Sequence, residues 1–107
     1  MSDRDLLELA ARAAGFNVYF DDEGQCCKHQ PRDPRETWLW NPLEDDGDAL
    51  RLAVNLGISV TQNHKRGDYV RAWHVDAGFD EPCGADPYVA TRRAIVSAAA
   101  EIGRAMP

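Results

Sequence analysis

The residues with most chemistry in them are gathered in one stretch, WLWNPLEDDGDALRL, where Trp38 and Trp40 stand beside Glu44, Asp45, Asp46 and Asp48. Indoles next to clustered carboxylates can make a binding platform, a cation loop or the beginning of a helix. Spacing excludes an EF-hand: with Asp46 and Gly47 at the fifth and sixth positions, Pro42 and Ala53 would hold the first and twelfth, and neither offers a carboxylate. Neighbouring acids can still bind a divalent cation weakly without selecting a metal. The position of the acids suits a helix start, because Leu50, Ala53, Val54 and Gly57 supply an apolar face and a stop behind them.

Acid also collects at Asp21-Asp22-Glu23 and over Asp76, Asp80, Glu81 and Asp86, again with no basic residue between, and the formal charge is −6. Such a balance argues against direct nucleic-acid binding, which needs clustered Lys and Arg. It leaves either a solvated surface or acidic patches that meet a partner. The partner-binding candidates are Asp21, Asp22, Glu23, Glu44, Asp80 and Glu81, with Trp38 and Trp40 as an aromatic alternative. Trp38 and Trp40 share a parity and point to one side of an extended chain; they suit a core as well as an interface.

Other chemistry is poorly supported. Cys26, Cys27 and Cys83 are odd in number, and no paired spacing joins them to His29, His64 or His74 in a zinc motif. The glycines are scattered as turn and cap residues, so neither a phosphate loop nor a dinucleotide fingerprint is present. Ser2, Ser59 and Ser97 lack an elbow-like setting, and Arg66-Gly67-Asp68 reads as a hairpin turn. No enzyme activity, catalytic residue, metal or cofactor is expected.

The elements that must position these side chains follow from pattern. Ser2 and Asp5 form a capping box for a helix over Asp3–Ala14, with Leu6, Leu9, Ala10 and Ala13 on one face and Gly15 as stop. FNVYF and QCCKH make a hairpin about DDEG, and QPRDPRE is a loop. The second helix follows Asn41-Pro42. ISVTQNH and YVRAWHVD form a second hairpin; a loop of Arg66-Gly67 sets His64 opposite Tyr69 and Val60 opposite Trp73, with Ile58, Val60, Trp73 and Val75 as the core face. Asp86 and Pro87 open a last helix whose buried stripe is Tyr88, Ile95, Ala98, Ala99, Ile102 and Met106, with Arg92 and Arg93 outward. The expectation is one α+β domain over residues 1–107, ordered helix, hairpin, helix, hairpin, helix, with a mostly antiparallel sheet. No apolar run is long enough to span a bilayer and no secretory leader is legible, so cytoplasm is the expected compartment.

WNPLEDDGDALRLAVNLGISV (Trp40 to Val60) and DPYVATRRAIVSAAAEIGRAM (Asp86 to Met106), with the leading LLELAARAAG, resemble the small tailed-phage and prophage proteins grouped as the phage ABA sandwich domain. The resemblance implies a three-layer α/β/α sandwich and a life in the cytoplasm of an infected bacterium, and it carries no established activity or catalytic residue. The function expected from it is a non-enzymatic accessory protein that binds and inhibits a host protein or ribonucleoprotein complex, in concrete form an anti-CRISPR or other anti-defence inhibitor acting through acidic patches. The alternatives are a protein that sequesters a small signalling nucleotide, or a phage protein of structural or regulatory role.

Overall fold

Ser2 Oγ accepts the Asp5 N–H at 3.1 Å and the Asp5 carboxylate accepts the Ser2 N–H at 3.2 Å, which satisfies amides that a first helical turn leaves without partners. The computed structural model describes residues 2–29, 37–62, 69–74 and 77–107, with the backbone alone for 27–29, 37, 38 and 77. The capping box opens α1 (Asp3–Ala14), and Gly15, left-handed at φ 88°, closes it. Asp45 caps α2 (Asp46–Leu56) by accepting the Asp48 N–H. Asp86 caps α3 (Pro87–Ala105), with proline at the start where its missing N–H costs nothing. These helix starts fall where local sequence puts them.

The strands depart from expectation by one element in each half. β1 (Val18–Phe20) and β2 (Cys26–His29) form the first hairpin, and β3 (Thr37–Leu39) extends it to a three-stranded antiparallel sheet. β4 (Ser59–Gln62) and β5 (Tyr69–His74) form the second, extended by β6 (Ala77–Pro82) to a further antiparallel sheet. The fold is α+β. QPRDPRE (30–36), the stretch 63–68 with His64 and the expected turn at Lys65 to Asp68, and Val75 and Asp76 lie outside the described residues.

The register of the second hairpin is shifted by one residue. Val60 stands opposite Ala72 and Ser59 opposite Trp73, whereas the two-residue turn required Val60 opposite Trp73. Because strand side chains alternate, one residue of slip exchanges the faces. Val70 and Ala72 are therefore buried with Ile58, while Trp73 shares the other face with Tyr69 and Arg71. The helix above decides this: α3 lies across β5 and β6, and alanine permits the closer approach.

Helix α3 is the hub. It packs along α1, carries α2 and covers the second sheet, through buried Ala90, Ala94, Ala98, Ala99 and Ala100. The expected stripe was set too far toward large residues: Tyr88 and Met106 are exposed. Arg92 and Arg93 also do not reach freely into solvent. Arg92 Nε donates to the Leu43 carbonyl at 2.9 Å and its guanidinium meets Asp46 at 2.6 Å, while Arg93 meets Asp3 at 2.8 Å. Both arginines thus clamp α3 to elements that precede it.

The α1–α3 contact leaves no space at Gly103, where an added methyl would fall on the Leu9 carbonyl. Alanine there gains about 1 kcal/mol of helix propensity, yet overpacking against backbone costs about 1–3 kcal/mol and cannot be relieved by turning a side chain. Gly103→Ala is expected to lower the unfolding midpoint and Gly103→Val to lower it further. A denaturant titration in which Gly103→Ala gained stability would show that the two helices separate at little cost.

Candidate functional site

The carboxylates proposed from sequence are held by their local geometry, and for several of them the geometry is structural. Asp21 sits at the β1–β2 turn, where its Oδ1 accepts the N–H groups of Glu23 at 3.0 Å and Gln25 at 2.9 Å. It braces the turn, and Asp22 and Glu23 are exposed beside it. Glu44 is exposed ahead of α2. Asp80 is on a strand, not a loop, and takes a two-pronged contact from Arg71 at 2.6 and 3.0 Å. Glu81 is half-buried opposite Val70. The candidates therefore lie on the first hairpin turn, the approach to α2 and β6, and no single site gathers them.

Trp40 is core. Only 4% of it is exposed, and its ring meets Phe16 edge-on with centroids 4.9 Å apart, so little indole is left for a partner. The Trp38 side chain lies outside the described residues.

The acids of the opening stretch build the start of α2. Asp45 Oδ2 accepts the Asp48 N–H at 2.8 Å, Asp48 accepts the Asn41 N–H at 3.0 Å and Arg51 at 2.8 Å, and Asp46 holds Arg92. Carboxylates here answer unpaired amides and the positive end of the helix dipole. Among the described residues no group of three or more His, Cys, Asp or Glu converges as a metal site. Cys26 is buried and Cys83 half-buried.

What sequence reasoning missed is a groove between α2, α3 and β4. It has a volume of about 650 Å³ and is lined by α2 residues from Asp46 to Val54, by Ile58, Val60 and Gln62, and by α3 residues from Pro87 to Ile95. Leu50 and Val54, expected to face the core, are 64% and 71% exposed on its rim, and Tyr88 is 68% exposed across from them. The buried stripe of α2 is Ala49, Leu52 and Ala53, one residue or about 100° round the helix from the expected one. Several polar groups in the lining are engaged: Arg92 with Leu43 and Asp46, and Thr91 Oγ1 with the Pro87 carbonyl at 2.7 Å and Gln62 Oε1 at 3.2 Å. The rest of the lining is mostly apolar.

A second hollow of about 490 Å³ brings Arg4, Arg92 and Arg93 near Asp3 and Glu44. Each guanidinium there has a partner: Arg4 lies over the Phe20 ring at 4.3 Å, Arg92 holds Leu43 and Asp46, and Arg93 holds Asp3.

Comparison of the chain with family models, curated proteins and solved structures returned no match. Among the described residues, no helix is long and apolar enough to cross a membrane.

Two outcomes test this electrostatic assignment. Asp45→Ala removes the cap and should cost about 1 kcal/mol, whereas Asp46→Ala removes a carboxylate that is itself exposed and leaves Arg92 its bond to the Leu43 carbonyl, and should cost less; equal losses in thermal melts would place the helix start elsewhere. The hydrogen bond and charge of Arg71 hold Asp80 below the usual carboxylate range. With Arg71→Gln the Asp80 carboxyl should titrate higher by NMR. The native pair's contribution is present above the ordinary carboxylate pKa and is lost as pH falls through the depressed one, so an unchanged Asp80 titration would remove Arg71 as the cause.

Proposed function

We propose that this chain is a non-enzymatic binding protein that occupies a host protein or ribonucleoprotein complex, in the setting its sequence resemblance implies: a phage-encoded inhibitor of bacterial defence, of anti-CRISPR or related kind, working in the host cytoplasm. The observation that carries the binding role is the apolar groove, in which Leu50, Val54 and Tyr88 remain open to solvent on a chain of 107 residues. Large apolar side chains grouped at the surface of a small protein are the usual mark of an interaction site. The phage setting rests on the resemblance of Trp40 to Val60 and Asp86 to Met106, and the three-layer α/β/α stacking belongs to that resemblance.

The chain's charge supports an inhibitor of a complex that holds nucleic acid, since acid at Asp22, Glu23 and Glu44 would speed encounter with a basic channel. The acidic surface is less extensive than composition suggests, because Asp3, Asp46, Asp48 and Asp80 are each paired with arginine. Apolar contact therefore supplies affinity here, and charge supplies steering. Sequestration of a signalling nucleotide is the weaker alternative: the hollow nearest to Arg4, Arg92 and Arg93 also presents Asp3 and Glu44, which oppose a phosphate.

Expression of the chain in bacteria that carry an active CRISPR or other defence system should restore plating of a phage that the system restricts. Leu50→Asp combined with Val54→Asp should abolish the effect while the protein stays folded. Glu44→Lys, or Asp22→Lys with Glu23→Lys, should slow association and flatten its dependence on salt. Unrestored plating across defence types would defeat the inhibitor role, and full protection by the groove variant would move the interface to another face.

A further inference from the structure

We propose that the groove receives an extended segment of the partner, added as a further strand on the free edge of β4, with apolar side chains alternating into the groove and Lys or Arg on its flank. The inference rests on the binding role given above and names the form of its partner.

The sheet supplies the first argument. Its order is β4-β5-β6, so among the described residues β4 pairs on one side alone. The other edge of Ser59–Gln62 presents backbone N–H and C=O groups that a further strand would satisfy, at the usual spacing of about 4.8 Å. A helix laid in the same place has no backbone groups to offer them.

The helices supply the second. Helix α3 lies chiefly across β5 and β6, and the groove opens where its cover of β4 gives way, with Val60 and Gln62 on one side and Leu50 and Val54 on the other. Alternate side chains of an added strand would enter that space, continuing the helix-facing layer of Val60, Ala72 and Phe79.

Charge selects the occupant. Five acids, Glu44, Asp45, Asp46, Asp48 and Asp86, stand at the starts of α2 and α3, the helices that line the groove, against two arginines there, Arg51 and Arg92, which pair with Asp48 and Asp46; the balance left at these helix starts is negative. A second copy would set this acid against its own likeness, each chain bearing a formal −6. A segment flanked by lysine or arginine meets the opposite sign.

Random twelve-residue peptides displayed on phage and panned against the full chain would test this. The expected selection alternates apolar and polar positions and carries basic flanks. A synthetic copy of a selected peptide should slow hydrogen exchange at β4 amides, bind more weakly as salt rises, and lose affinity at least tenfold on Leu50→Asp with Val54→Asp. Should that variant melt early, Tyr88→Lys on α3 takes its place. Selected peptides with helical periodicity or acidic flanks, binding without β4 protection, binding undiminished by both groove variants, or failure to enrich any peptide would each overturn the proposal. So would a dimer in sedimentation that Leu50→Asp with Val54→Asp dissolves. Panning is independent of plating: a chain that restores plating yet enriches no peptide fails here and keeps its inhibitory role, and one that enriches the expected peptides without restoring plating does the reverse.

Discussion

The rest of the fold depends on how closely α3 can approach its neighbours. Its buried side chains are mostly alanine, and at Gly103 the α1 backbone stands where a methyl would be. Small side chains gain little by hydrophobic transfer individually, roughly in proportion to the area each removes from water. What they allow is backbone proximity, so that one helix packs against α1, α2 and the second sheet together. Larger residues complete the core around them, among them Leu6, Leu7, Trp40, Leu52, Ile58, Val70 and Val96.

That economy of volume explains the groove. Helix α2 meets α3 through Ala49, Leu52 and Ala53, a narrow contact that leaves the broader side chains Leu50 and Val54 turned away. The placement is fixed by polar contacts, since Arg92 reaches from α3 to the Leu43 carbonyl and to Asp46 at the first turn of α2. With its entrance clamped in this way, α2 cannot roll to bury Leu50 without breaking a guanidinium contact that is largely shielded from water, the Arg92 side chain being 15% exposed. The same acid that opens the helix thus also sets which of its faces remains outside.

Local chemistry was legible in the sequence, and choices made by distant packing were not. The Ser2–Asp5 box, the Asp45 and Asp86 caps and the Gly15 and Gly57 stops depend on residues within a turn of each other, and each lies where its type predicts. On α2, Leu50-Ala53-Val54 and Ala49-Leu52-Ala53 satisfy helical periodicity equally well; hydrophobicity favours the first, and the fit of alanine against α3 selects the second. The register of β4 against β5 failed for a related reason: which parity faces α3 is decided by the space beneath it, and Ala72 fits where Trp73 would not. The strands β3 and β6 were missed because TWL is short and AGFDEP has glycine, proline and two acids where strands favour branched or aromatic residues.

Electrostatics shows the same division between composition and arrangement. The formal charge of −6 suggests broad negative patches, yet Arg71, Arg92 and Arg93 come from elsewhere in the chain to meet Asp80, Asp46 and Asp3. The Arg71–Asp80 and Arg93–Asp3 pairs are on a wet surface and add little stability, but all three change what a partner encounters. Acid left without such cover at Asp22, Glu23 and Glu44 can act over roughly a Debye length, about 8 Å at physiological salt, and so influences the speed and direction of approach. Affinity comes chiefly from area that leaves water, and Leu50, Val54 and Tyr88 offer such area together around one groove. Exposed acid acts on a charged partner before contact and apolar area acts after it, so the two kinds of surface answer different steps of an encounter.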